Sequence, residues 1–347
     1  TSMGTTSESE TQQTTEHMST KTSEYNIVHT TTVAKAAIPL RGSAIDISPN
    51  ATWKQNGTTV AGGNKNGNET NQFYLPVGLY VDDNQTIYIT DTDNHRIIEW
   101  KYGAESGKVV AGGNGGGNES NLLNGPWDVI VDKARDSLII SDTGNRRVVR
   151  WPRQNGGNTS GETIISNIDC IGLTMNENGF LYVVDGRNNT VRQYRMDGSD
   201  ERVVAGGNGQ GNGLNQLYYP RYVFVDQDHS VYVSDYKNHR VMKWEEGAQE
   251  GIVVAGGNGR GSNLTQVYDP CGVIVDQLGT VYVAEEYNHR IMRWTKGSTE
   301  GSVIAGGNGK GEQSNQLKNP VGLSFDRQGN LYVADKHNHR VQKFEIE

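Results

Sequence analysis

Two cysteines, Cys170 and Cys271, are too few for a disulfide-dense scaffold or a cysteine-based zinc cage. With only 8 prolines and a hydrophobic share of 34%, neither a collagen-like chain nor a helical bundle fits. No apolar run approaches the roughly 18 residues of a membrane span, and no segment holds a helical period for long. A basic excess is missing as well. Acids outnumber bases 40 to 32, a formal charge of -8, which argues against a general polyanion binder. Opening on Thr1 rather than Met, the chain reads as a fragment, so the lack of a signal peptide carries no weight. Glycine is what abounds. Its 44 residues among 347 are about 13%, against a usual share of about 7%, and architecture has to account for them.

Residues 1–44 hold 11 Thr and 6 Ser, with Tyr25 as the one aromatic. Such a stretch buries too little apolar area to offset its ordering entropy, so it is expected to be a disordered linker or stalk. From residue 45 to 347 an internal repeat takes over. AGGN begins at Ala61, Ala111, Ala205, Ala255 and Ala305, with one copy missing in the middle. Acid-x-x-Asn has no gap: it begins at Asp91, Asp142, Asp185, Asp235, Glu285 and Asp335. Six copies at this spacing signal a repeat architecture.

Each unit reads as four short strands. In the fourth these are YVFVD from Tyr222, SVYVSD from Ser230, HRVMKW from His239 and IVVA from Ile252. All are rich in β-branched and aromatic residues and bounded by turn residues. Six antiparallel meanders in a ring make an all-β, six-bladed β-propeller, which leaves only short, protected edges. The termini carry complementary deficits. The sixth unit lacks a fourth strand, and Thr58–Ala61 (TTVA) is a fourth strand without partners. Closure by pairing of the N-terminal strand with the C-terminal blade is the expectation.

In a meander, the acid-x-x-Asn turns and the AGGN loops emerge on one face, here called the top. The turn acids suit acceptance of backbone N–H groups, and Asn94 and its equivalents are expected to take the left-handed conformation. Arg96, Arg147, Arg240, Arg290 and Arg340 follow with forks suited to a carboxylate. These read as structural, because every blade needs what nearly every blade repeats. The AGGN string invites a dinucleotide reading, which fails because a strand and not a helix follows each copy. It also lacks the Asp of calcium-binding nonapeptides. Close packing of backbone between blades is the expected use of its glycines.

The strings NHRI, NHRV, NHRI and NHRV at Asn94, Asn238, Asn288 and Asn338, with a Pro76-x-Gly78 start and a following Val81–Asp82, resemble the NHL-repeat family over about residues 58–347. The third unit departs, with Asn188, Asn189 and Thr190 in place of NHR and Cys170 in place of Pro. The resemblance implies a six-bladed propeller that serves as a binding platform for protein or RNA. Relatives include a zinc-dependent amidating lyase and ubiquitin ligases that carry such a propeller at the C-terminus. This chain has no Cys/His RING or B-box pattern. A catalytic zinc needs about three converging ligands, whereas His95, His239, His289 and His339 fall one per blade and the innermost strands hold no His. No catalytic constellation, metal or cofactor is expected, and the cysteines read as free buried thiols.

Positions that break the repeat are the better binding candidates. After the strand-start proline, blades two and four place Trp127–Asp128 and Arg221–Tyr222 where others carry Gly at the second position. Filling of a tapering shaft explains them as well as a binding role does, although Trp, Tyr and Arg are enriched at binding hot spots. The variable turn positions add Arg187, Tyr236, Lys237, Glu286, Tyr287, Lys336 and His337. Arg146, Arg187, Arg221, Arg260 and Lys310 are offset by Glu285, Glu286, Asp93 and Asp128, so a protein or peptide partner fits better than RNA. Sequons at Asn50, Asn56, Asn68, Asn84, Asn118, Asn158, Asn188 and Asn263 exceed the about five expected by chance, and with the Thr/Ser stretch they favour an extracellular or lumenal site over a cytoplasmic one.

Overall fold

The computed structural model describes residues 45–153, 160–197, 199 and 201–347. The Thr/Ser-rich stretch 1–44 and the sequon at Asn158 lie outside the described residues. The first strand, β1 (Thr58–Gly62), belongs to the last blade. Blade one is β2 (Pro76–Val81), β3 (Ile87–Asp91), β4 (Arg96–Trp100) and β5 (Lys108–Gly112). Blade two is β6 (Asp128–Asp132), β7 (Ser137–Asp142), β8 (Arg147–Pro152) and β9 (Glu162–Ser166). Blade three is β10 (Cys170–Met175), β11 (Phe180–Asp185), β12 (Thr190–Arg195) and β13 (Arg202–Gly206). Blade four is β14 (Val223–Val225), β15 (Val231–Asp235), β16 (Arg240–Trp244) and β17 (Ile252–Gly256). Blade five is β18 (Pro270–Val275), β19 (Val281–Glu285), β20 (Arg290–Trp294) and β21 (Ser302–Gly306). Blade six is β22 (Pro320–Phe325), β23 (Leu331–Asp335) and β24 (Arg340–Phe344), with β1 as its outer strand.

The ring therefore closes as the terminal deficits suggested. β1 runs antiparallel to β24, with Thr58 opposite Lys343 and Gly62 opposite Arg340. The second strands are buried on both faces, which is why VYVSD and VYVAE read as near-continuous β-branched and aromatic runs. Third strands carry a large buried aromatic at or next to their end in all six blades: Trp100, Trp151, Tyr194, Trp244, Trp294 and Phe344. Inner strands of neighbouring blades touch, and they define the channel.

Two expectations about the repeat markers are corrected. Close packing between blades rests on the strand-start glycines and not on AGGN. A Cβ on Gly322 would lie 2.4 Å from the Val77 carbonyl oxygen, and one on Gly272 would lie 2.4 Å from that of Val321. The AGGN glycines instead take left-handed backbone, with φ near +69° at Gly62 and +80° at Gly63, and let each loop fold back on its own blade. The left-handed turn residue is likewise not Asn94 but His95, at φ 53°. Arg146, Asn189, His239, His289 and His339 take the same conformation in the other blades.

Candidate functional site

The repeated turns form a structural girdle beneath the top face. Asp91 Oδ1 accepts the Tyr74 N–H at 2.6 Å, while Oδ2 accepts Asn94 Nδ2 at 2.8 Å and Arg96 Nε at 2.7 Å. The outer nitrogens of Arg96 pass the acid and hold loop carbonyls of Asn68 and Glu69, at 2.6 and 2.9 Å. Arg147–Asp142, Arg240–Asp235, Arg290–Glu285 and Arg340–Asp335 repeat the pair at 2.7–2.9 Å. Burial pushes the carboxyls of Asp91, Asp235, Glu285 and Asp335 up, against the pull of these partners. Asp185 has Thr190 where the arginine should stand, and Arg192 reaches it instead, at 3.5 Å. Asn188 Nδ2 donates to Asp185 Oδ2 at 2.7 Å, so a glycan at that sequon would break the turn.

The turn histidines stitch one blade to the next. His95 Nδ1 accepts the Gly125 N–H at 3.0 Å, and His289 and His339 accept those of Asn319 and Leu75 at 3.2 and 3.3 Å. In blade three Asn189 does the same with its side-chain oxygen, which accepts the Tyr219 N–H at 2.7 Å. An accepting Nδ1 fixes the neutral imidazole. Among the described residues no group of three or more His, Cys, Asp or Glu is placed to hold a metal ion. Cys170 and Cys271 are buried, unbridged thiols, and burial raises both above the ordinary thiol range.

The four repeat-breaking residues separate into two layers. Asp128 and Tyr222, expected at the mouth, are fully enclosed below it at 0% and 2% exposure. Each stands where another blade has a glycine, so its side chain takes the space inside the shaft. Asp128 Oδ2 accepts the Leu173 N–H of blade three at 2.9 Å. The Tyr222 hydroxyl donates across the channel to the Val77 carbonyl of blade one at 3.4 Å. Neither side chain reaches the surface of the mouth.

Trp127 and Arg221 lie above them at the mouth, together with variable turn residues of blades four, five and six. The Arg221 guanidinium carbon sits 4.2 Å from the Tyr236 ring centre, 4.8 Å from Trp127 and 5.1 Å from Tyr219. Tyr236 is nearly buried and donates its hydroxyl to Glu286 Oε2 at 3.0 Å. Lys336 pairs with Glu286 at 3.5 Å, and Lys237 pairs with Asp269 at the same distance. Rings, rather than a carboxylate, surround Arg221. Three buried nitrogens at this face have no hydrogen-bond partner: Trp127 Nε1, Arg221 Nε and His337 Nδ1. Burial, with Lys336 beside it, holds the His337 imidazole below its ordinary value.

Arg187 stands exposed on the turn of blade three. Tyr287 is exposed too and stacks on Tyr268, ring centres 5.2 Å apart, instead of joining the Arg221 box. Sequence reasoning missed Tyr219. Its signal was available: it precedes Pro220 where the other blades with this proline carry Leu75, Gly125, Asp269 and Asn319, so it is the only aromatic at that position.

No curated protein matches the chain by sequence. Among solved structures it is similar to an auxiliary nutrient binding protein from Bacteroides thetaiotaomicron, at 15% identity and a TM-score of 0.65, covering 86% of this chain and 77% of that one. Virginiamycin B lyase from Staphylococcus aureus aligns over 85% of this chain and 99% of its own, at 14% identity and a TM-score of 0.50. A nidogen/laminin complex matches 74% of this chain and 96% of that one, at 13% identity and a TM-score of 0.52. At such identities the likeness establishes the shared fold. The NHL repeat model matches residues 73–99 and 317–344, in blade one and blade six. The chain thus carries NHL repeats in blade one and blade six and is built as a closed six-bladed β-propeller.

Proposed function

We propose that this propeller is a binding module whose top face receives a protein or peptide partner at the channel mouth. The observation that carries this reading is the Arg221 box. The Arg221 guanidinium lies among the rings of Trp127, Tyr219 and Tyr236, and its buried Nε is unpartnered beside an unpartnered Trp127 Nε1. Buried donors left without acceptors call for an explanation, and an incoming carbonyl or carboxylate supplies one. The mouth thus suits a chain segment that brings a hydrogen-bond acceptor to the centre and apolar surface to the rings. A fold shared with nutrient-binding proteins and with a nidogen/laminin complex supports a binding role, while the lyase on the same fold keeps catalysis as the rival.

A binding screen followed by Trp127→Ala and Arg221→Ala tests this. Truncating an anchor of this type commonly costs about 2 kcal/mol or more, about thirtyfold in affinity. A partner whose affinity falls less than about threefold with either substitution excludes the mouth as its site. RNA is the second reading, favoured by the Tyr268–Tyr287 stack with Arg260 5.0 Å from the Tyr268 ring centre. An RNA ligand would lose affinity steeply with salt and on Arg260→Ala or Tyr287→Ala.

A further inference from the structure

Away from the mouth the propeller carries clefts between neighbouring blades, and four of them are lined by the second-strand tyrosines Tyr182, Tyr232, Tyr282 and Tyr332. The cleft between blades five and six is filled by the chain itself. Residues 45–55 cross it with a turn at Pro49–Asn50, and Trp53 drops into it with 2% of its surface exposed. The indole stacks on Phe325, ring centres 6.1 Å apart, meets Tyr282 edge-on at 5.9 Å, and donates Nε1 to the Gly329 carbonyl at 3.0 Å. Backbone is read as well. Arg293 donates to the Ala51 carbonyl at 2.8 Å, and Gln55 Nε2 donates to the Ile304 carbonyl on the edge strand β21 at 3.4 Å.

One repeat earlier, between blades four and five, the same frame recurs. Tyr232 stands for Tyr282, Lys243 for Arg293, Val254 for Ile304, Gly279 for Gly329 and Val275 for Phe325. No described segment crosses this cleft. It is open as a cavity of ≈ 740 Å³, against ≈ 300 Å³ between blades three and four and ≈ 330 Å³ between blades six and one. Its rim leaves Ile252, Val253 and Leu278 at 55%, 40% and 46% exposure, and β17 presents the free edge that β21 uses to hold Gln55.

We infer that the cleft between blades four and five is a second docking site, which takes a peptide from another chain and anchors it by a tryptophan side chain. The mode is the one the molecule already uses one blade away. An indole fills the apolar floor over Tyr232 and Val275 with its N–H on the Gly279 carbonyl. Lys243 holds a peptide carbonyl as Arg293 holds that of Ala51, and a carbonyl of the β17 edge accepts from a peptide side-chain amide as that of Ile304 does from Gln55. A tryptophan in a desolvated pocket, flanked by main-chain hydrogen bonds, is the usual anatomy of such an anchor. This site is remote from the mouth, and its failure would leave the top-face reading untouched.

The probe is a fluorophore-labelled peptide with the sequence of residues 45–57, titrated into the full chain by anisotropy, beside the same peptide with Trp53→Ala. Saturable binding is expected, weakened at least about tenfold by the peptide substitution and by Val253→Glu in the protein. Val253 is exposed, so that variant should fold. A benzoylphenylalanine placed at Ile252 should photo-crosslink to the peptide. Absent binding, or binding indifferent to both substitutions, overturns the inference. So does a crosslink from Ile252 to residues of the same chain before Ile45, or to a second copy, in place of the peptide.

Discussion

A single methyl group decides how closely two blades approach. Gly322 has ordinary backbone angles, yet a Cβ there would meet the Val77 carbonyl at 2.4 Å, and backbone cannot swing aside as a flexible side chain can. Gly322→Ala is therefore expected to lower stability by about 1–3 kcal/mol, read as a shift in the urea midpoint without loss of cooperativity. Histidine supplies a pH dependence at the same scale. Burial lowers the imidazole pKa of His289 and His339, helped by Lys310 and Lys318 respectively. The folded state then binds fewer protons than the unfolded chain once pH falls below about 6.5, so stability present above that pH is lost as it drops. The girdle carboxyls, raised by burial, pull the other way only nearer their own range. Tm should fall between about pH 6.5 and 5, and the double variant His289→Asn, His339→Asn should flatten that slope while staying folded. Asn189 already does this job in blade three, with the same left-handed backbone and the same accepted N–H. His239 is the poorer choice, because Asp269 Oδ1 also approaches its Nδ1, to 3.1 Å.

At the scale of elements, the segment ahead of β1 does as much as a strand. Trp53→Ala removes an indole packed on Phe325 and Tyr282 and should cost about 3–5 kcal/mol, seen in thermal unfolding. Nothing in the sequence pointed to Trp53, since it sits outside the repeat and shares no register with another residue. What recurs was legible: six acid-x-x-Asn turns gave the blade count, and TTVA against a short sixth unit gave the seam. What occurs once was legible only as a difference. Trp127–Asp128 and Arg221–Tyr222 were visible as breaks in the pattern, but both pairs sit at or just ahead of the start of an inner strand, and only the blade's placement decides which member of each pair meets solvent. Hence Trp127 and Arg221 reach the mouth while Asp128 and Tyr222 go into the shaft. Asparagine tolerates a left-handed turn better than histidine does, yet Asn94 is occupied with Asp91 and the next residue turns instead.

For the whole molecule, the seam matters beyond thermal stability. β1 and β24 are antiparallel, so the start of one lies beside the end of the other, with Thr58 opposite Lys343. Thr52 and Lys54 continue the pairing to Glu347 and Glu345. Tension applied between Ile45 and Glu347 would consequently load these rungs one at a time, as in a zipper, and not all together as in a sheared joint. In an optical trap, the chain held at those two residues should open its seam at low force, in a step distinct from rupture of the remaining blades. Held instead between positions in blades two and five, it should resist more strongly, because the load then crosses whole sheets edge to edge. A ring that is hard to melt would in this way be easy to unbuckle, from the one place where its two ends meet.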